Sequence, residues 1–136
     1  MGAKYLVDTN VGIDFLDGKL PVDSAAWLEQ LLNAQELALS VVVRVELLSW
    51  PGPPAAMQIL QDFITANQEL PLDEPVIQQT IRLRQQHRVK LPDAIIAATA
   101  LVHGLPLLTR DTTDFSSLPG LTVLNPHDPA QLPGLP

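Results

Sequence analysis

The chain contains no cysteine. Disulfides, thiolate metal sites and cysteine nucleophiles are therefore excluded, and the absence fits a reducing compartment. Long hydrophobic runs are also missing. The longest are far too short to cross a bilayer, so no membrane partner is expected. Asp8 interrupts the N-terminal stretch before any apolar run could act as a signal sequence, and the expectation is a cytoplasmic protein. Basic residues are scarce: eight Lys and Arg stand against fifteen Asp and Glu, a net charge of −7. That excludes nucleic-acid binding driven by an overall positive field. Local binding survives the objection. Acids that coordinate a metal do not repel phosphate as free carboxylates do, and Arg82, Arg84, Arg88 and Lys90 hold four of the eight bases in one short span. The three histidines show no zinc-like spacing. His87 and His103 fall near predicted helix C-termini and His127 in the tail, and each reads as structural or exposed.

At 136 residues the chain is one domain's worth, enough to bury a sizeable core. Hydrophobic residues make up 46%. The mean hydropathy of +0.17 is high for a monomer of this size, which places part of the excess in an interface between chains.

Short apolar segments alternate with helical ones. Strands are predicted at Lys4 to Val7, Leu37 to Ser40, Glu69 to Leu72, Leu105 to Thr109 and Leu121 to Leu124. Between them helices are predicted over Asn10 to Leu16, from an Asp23 or Ser24 cap to Asn33, Ala55 to Ala66, Asp73 to His87 and Asp93 to His103. Val41 to Leu48 is ambiguous by period, almost every position being apolar, and reads as helix because a strand would have to turn directly out of Ser40. Trp50-Pro51-Gly52-Pro53-Pro54 breaks the chain as a loop inside one domain. The Asp93 to His103 helix is apolar nearly all round and belongs in a core or between subunits. This alternation implies a parallel sheet covered on both faces. Ligands in such folds bind beyond the carboxyl ends of the strands, and Asp8 and Asp111, each just after a strand, should share that edge.

Four acids enter apolar settings: Asp8 in Leu6-Val7-Asp8-Thr9-Asn10, Glu46 in Val45-Glu46-Leu47, Asp93 in Leu91-Pro92-Asp93-Ala94, and Asp111 in Thr109-Arg110-Asp111. Each has a plainer reading. Asp8 suits a turn or helix cap, Asp93 complements a helix dipole, and Asp111 or Asp114 suits a cap. On a helix, Arg44 and Glu46 point about 200° apart. At least one should then face protein or an enclosed cleft. Asp14, Asp17 and Asp23 read as solvated charges or caps. Four carboxylates in one pocket repel and need compensation. A hard divalent cation, Mg²⁺ or Mn²⁺, supplies it, and carboxylate-and-metal chemistry suits phosphodiester hydrolysis without a Ser, Cys or His nucleophile or base.

In order and interval, Leu6 to Asn10, Ser40 to Leu48, Leu91 to Ala100 and Leu107 to Phe115 resemble the motifs of the PIN-domain family, specifically VapC-type toxin ribonucleases. The resemblance spans roughly Tyr5 to Pro126. It implies a three-layer α/β/α sandwich with a short, mostly parallel sheet of about five strands. Residues 1–126 would form the nuclease domain, with 127–136 a proline-rich tail packed on it or trailing from it. The implied activity is Mg²⁺- or Mn²⁺-dependent endonucleolytic cleavage of RNA to a 5′-phosphate and a 3′-hydroxyl. Asp8, Glu46, Asp93 and Asp111 would form the catalytic, metal-binding quartet, with Asp114 at an outer metal position. Thr9 and Asn10 would shape the rim and contact substrate, and Arg110 or the Arg82 to Lys90 segment would meet phosphate. A homodimer and a cognate antitoxin presenting a basic side chain to the acids are the implied partners. Val43 departs from the family, where many relatives carry a hydroxyl. Two other readings compete: a catalytically silent PIN-like interaction module, and a haloacid-dehalogenase-type phosphatase. The second wants an aspartate where Asn10 stands.

Overall fold

The computed structural model describes residues 2–135. Its organising strand, β1 (Tyr5–Val7), buries Leu6 and Val7 completely. Asp8 then turns the backbone and starts α1 (Thr9–Leu16), its side chain accepting from the Thr9 N–H. That satisfies one of the free donors at a helix start. The same device recurs after β2 (Leu37–Ser40), where the Ser40 hydroxyl accepts from the Val43 N–H and begins α3 (Val41–Leu48). In both places a buried strand converts to a helix within one residue, at a polar side chain.

After α2 (Val22–Asn33), β2 and α3 come α4 (Pro54–Ala66), β3 (Gln68–Leu70), α5 (Glu74–Gln86), α6 (Leu91–His103), β4 (Leu107–Leu108), α7 (Thr112–Phe115) and β5 (Val123–Leu124). The five strands pair in parallel in the order β3-β2-β1-β4-β5. Helices flank the sheet, the α/β/α arrangement expected from the sequence. The chain steps outward from β1 to β2 to β3, then returns to lay β4 on the other side of β1. That reversal opens a crevice beyond the carboxyl ends of β1 and β4, where parallel sheets bind ligands.

α6 is the buried helix of the fold. Ala94, Ile96, Ala97, Ala98, Thr99 and Ala100 are all inside, and the helix packs along α5 and against α3 and β2. Its small residues let neighbouring elements approach closely. Gly104 ends it at φ 64°, a left-handed conformation that glycine adopts without strain.

The expected start of α2 and the expected span of β3 need correction. α2 begins at Val22, before the predicted cap, and neither Asp23 nor Ser24 caps it. Ser24 lies on the inward stripe with Leu20, Trp27 and Leu28, and its buried hydroxyl has no partner among the described residues. The apolar stripe overrode the capping preference. β3 runs Gln68–Leu70, not Glu69 to Leu72. Its register is set by β2 (Ala38 opposite Gln68, Ser40 opposite Leu70), and Pro71 offers no N–H to continue the ladder. Residues after Asp111 form the short α7, which periodicity could not reveal in four residues. The tail contains a 3₁₀ turn at Pro129–Gln131. It is tied down: Leu132 is buried, and the Trp27 indole N–H donates to the Pro133 carbonyl at 2.9 Å.

Candidate active site

Beyond β1 and β4 lies a cleft of about 340 Å³ lined by Asp8, Thr9, Asn10, Ile13, Asp14, Lys19, Glu46, Asp93, Arg110 and Asp111. Pairing fixes its floor. Val7 sits opposite Leu108, and the Asp8 N–H donates to the Leu108 carbonyl at 2.9 Å, so the residues that follow both strands must emerge side by side. α1 carries Thr9 and Asn10 to the same spot, α3 brings Glu46, and the first turn of α6 brings Asp93.

Hydrogen bonds fix the acids relative to one another. The Thr109 hydroxyl, fully buried, donates to Asp8 Oδ2 at 2.8 Å. The Asn10 amide donates to Asp111 Oδ2 at 3.0 Å and reaches Asp8 Oδ2 at 3.3 Å. Its carbonyl oxygen accepts from the Arg110 N–H at 3.2 Å. Asn10 is thus a brace between two acids, not a free group at the rim. The Thr9 hydroxyl donates to Glu46 Oε1 at 2.7 Å. Val43 is completely buried, and this contact from Thr9 supplies a hydroxyl to Glu46 from a different element. Arg44 and Glu46 are both exposed, but Glu46 lines the cleft, as the helical-angle argument asked of one of the two. Arg44 pairs with Glu69 of β3.

One further placement, that of Asp14, differs from the sequence reading. Asp14, read as a solvated charge or cap, is only 3% exposed. Its carboxylate meets Arg110 Nη1 at 3.0 Å and His127 Nε2 at 2.8 Å, joining α1, the loop after β4 and the tail. The reading failed because both partners lie about a hundred residues away along the chain. Arg110 lines the cleft but is committed through one nitrogen to Asp14. Thr109 went unassigned although it anchors Asp8. Its signal was a hydroxyl at the end of an apolar strand. Asp114 is absent from the cleft lining. It borders Asp93 from the other side, in a second cavity with Arg88, Val89, Lys90, Thr113 and Ser117.

Electrostatics are severe. Burial pushes the Asp8 carboxyl up to about 6, and the charges of Asp93 and Glu46 add to the shift against the opposing hydrogen bonds from Thr109 and Thr9. Asp93 is also raised, first by burial and then by Asp114, Glu46 and Asp111. Each acid therefore feels acids from other elements. Among the described residues no group of three or more carboxylate or imidazole side chains stands close enough together to hold a metal ion as placed. The carboxylates of Asp8, Glu46, Asp93 and Asp111 form no ion pair with a lysine or arginine among the described residues, and their oxygens suit a hard divalent cation. Beside the cleft, sharing Ile13 and Glu46, runs an apolar groove of about 320 Å³ completed by Leu16, Asp17, Leu47, Trp50 and Leu60.

Comparison with known proteins agrees with this geometry. Residues 5–121 match the PIN domain family. Ribonuclease VapC19 of Mycobacterium tuberculosis is 31% identical over 121 residues, covering 85% of this chain and 95% of that protein. Ribonuclease VapC4 of the same organism is 33% identical over 131 residues, covering 89% and 95%. Among solved structures, a toxin–antitoxin complex from Klebsiella pneumoniae contains a chain that is 31% identical. It superposes with a TM-score of 0.72 over 92% of this chain and 99% of that one. With its four motifs, its parallel sheet and its acidic switch-point cleft, the chain belongs to the PIN domain family.

Proposed function

We propose that the chain is a divalent-metal-dependent endoribonuclease acting as the toxin of a toxin–antitoxin pair. The observation that carries this reading is the gathering of Asp8, Glu46, Asp93 and Asp111 around one cleft in a chain similar to VapC ribonucleases. Divalent-metal dependence is general among PIN-domain ribonucleases of this kind. Here Asp8, Glu46, Asp93 and Asp111 would hold Mg²⁺ or Mn²⁺, with Asp114 acting from outside through Asp93. The cation would supply Lewis-acid polarisation of a phosphoryl oxygen and of a water. The chain's own residues do the positioning. Asn10 sets the spacing of Asp8 and Asp111, Thr109 anchors Asp8, and Thr9 holds Glu46. Arg110, steered by Asp14, offers its remaining guanidinium N–H groups to a phosphate. In hydrolysis a water oxygen joins phosphorus and the bond to O3′ breaks. The products are a 5′-phosphate and a 3′-hydroxyl that has gained the proton.

The partners follow the same reading. The apolar groove beside the acids gives a cognate antitoxin an anchor from which a basic side chain could reach Glu46 and Asp8. Val45, Trp50 and Ile59, all more than half exposed on or beside α3 and α4, are the apolar surface that a homodimer or antitoxin would cover. We read residues 1–126 as the nuclease domain, with the tail strapped to it, working in the cytoplasm.

The test is RNA cleavage by the purified full chain with Mg²⁺ or Mn²⁺, with chelator, and by Asp8→Asn and Asp93→Asn proteins shown to be folded. Cleavage should need the cation and fall at least a hundredfold in both variants, the scale of losing one preorganised electrostatic group. Equal cleavage by all three proteins would identify a contaminant and defeat the assignment.

A further inference from the structure

The eight basic side chains divide into two groups of four. Lys4 pairs with Glu36, Lys19 with Asp17, Arg44 with Glu69 and Arg110 with Asp14. Arg82, Arg84, Arg88 and Lys90 have no ion-pair partner among the described residues, and all four lie between the last turns of α5 and the start of α6. Two of them are occupied locally, since Arg82 donates to Gln79 and Arg84 to the Val89 carbonyl. Arg88 and Lys90 are exposed. They line the cavity of about 320 Å³ that also takes in Val89, Asp93, Thr113, Asp114 and Ser117.

That cavity meets the acidic cleft at Asp93, which lines both. On one side of Asp93 stand the other quartet acids. On the opposite side stand two unpaired cations and the hydroxyls of Thr113 and Ser117. Asp114 is the one further acid there. In a chain of net charge −7, neither cation forms an ion pair among the described residues, although Asp93 and Asp114 line the same cavity and the Lys90 charge acts on Asp93.

From this arrangement we infer that Arg88 and Lys90, with Thr113 and Ser117, form a binding subsite for a phosphate of the RNA strand flanking the scissile one. The inference rests on the ribonuclease reading and specifies how an acidic protein holds an anionic polymer. The strand crosses Asp93, with its reacting phosphate over the acidic cleft and a neighbouring phosphate on the basic cavity. Single-stranded nucleic acid is commonly held along such a charged track. An acidic protein segment would also be attracted to two cations. The continuity of the cavity with the cleft through Asp93 favours the polymer whose backbone is to be cut.

The experiment uses the full chain carrying Asp8→Asn, a fluorescent single-stranded RNA and fluorescence anisotropy across a salt series. Adding Arg88→Gln and Lys90→Gln should weaken binding about tenfold near 0.1 M salt. It should also reduce the slope of log K against log salt by about 1.4, the counterion release of two single-strand phosphate contacts. Lys4→Gln with Arg82→Gln removes the same charge at positions that do not line the cavity and should change affinity less than twofold. In the otherwise wild-type enzyme, Arg88→Gln with Lys90→Gln should raise KM on a long RNA and leave kcat nearly unchanged. A substrate with a single phosphodiester should be cut as by wild type. Equal weakening by both double variants would reduce the effect to overall charge and overturn the subsite. So would unchanged RNA binding by the Arg88 and Lys90 variant, including the case where it instead loses an acidic protein partner. If wild type shows no cation-dependent RNA cleavage, the ribonuclease reading fails. If it cleaves and the variant is indifferent, only the subsite fails.

Discussion

Asp8 is 5% exposed, and no lysine or arginine pairs with it among the described residues. Its carboxyl titrates near 6 in the folded protein, against an ordinary value of 3.8. Between those values the folded state holds a proton that the unfolded chain has released, so stability falls as pH rises through that window. The full loss is present above pH 6 and amounts to about 3 kcal/mol if the whole shift is expressed. The raised Asp93 acts in the same direction. Metal-free protein should therefore show a higher urea midpoint at pH 5 than at pH 7.5. Asp8→Asn should flatten most of that difference and stabilise the metal-free protein by about 1–2 kcal/mol at pH 7.5 while abolishing cleavage. A midpoint that rises with pH between 5 and 7.5 would contradict this account. Asp14 is the opposite case, a buried acid with an arginine and a histidine as partners. Because Arg110 and His127 are partly exposed, solvent screening discounts the pairs. Asp14→Ala should cost about 1–2 kcal/mol by urea denaturation and raise amide exchange in the tail around His127. The motif made Asp8 legible in the sequence. Asp14 was not legible, because its role depends on partners supplied by the end of β4 and by the tail.

Among the elements, α6 was the most readable. An apolar run with proline at its start and glycine at its end has one sensible place in a small α/β fold, inside. Its alanines show how tight that place is, since Ala97 and Ala98 are wholly buried. Interiors of such density have no room for added methylenes. Ala97→Leu should destabilise by about 1–3 kcal/mol in denaturant titration, with a matching loss of activity because α6 carries Asp93. A neutral result would mean the helix packs more loosely than its burial indicates. α3 was readable for another reason. Six of its eight residues are apolar, so its period is ambiguous, and it reads as helix because a strand there would have to turn directly out of Ser40. The edges of β3, β4 and β5 were less so. A strand's ends are set by which carbonyls and N–H groups its neighbours offer, and local composition does not contain that. α7 is too short for any period to register, and the start of α2 was set by the stripe of Leu20, Ser24, Trp27 and Leu28 rather than by a cap.

For the whole molecule, folding brings acids together that repel, and a ligand of opposite charge should stabilise the result. Mg²⁺ or Mn²⁺ at ten times its dissociation constant should add about 1.4 kcal/mol to unfolding stability, seen as a chelator-reversible rise in the thermal midpoint. Asp8→Asn should remove most of that rise. No shift at millimolar cation would count against the metal assignment. The amino-acid sequence by itself determined the alternation of strand and helix and the parallel sheet, and it singled out four acids that line one cleft. Those features are encoded locally, in hydrophobic period, turn residues and motif spacing. Only the tertiary structure decided that Asn10 braces Asp8 against Asp111, that Thr109 anchors Asp8, that Asp14 is buried between Arg110 and His127, and that Arg88 and Lys90 line a cavity beside Asp93 without forming an ion pair among the described residues. Each of those depends on the return of the chain from β3 to β4 across β1 and on how its loops and tail then settle, and contacts between residues so far apart along the chain leave no periodic trace in it.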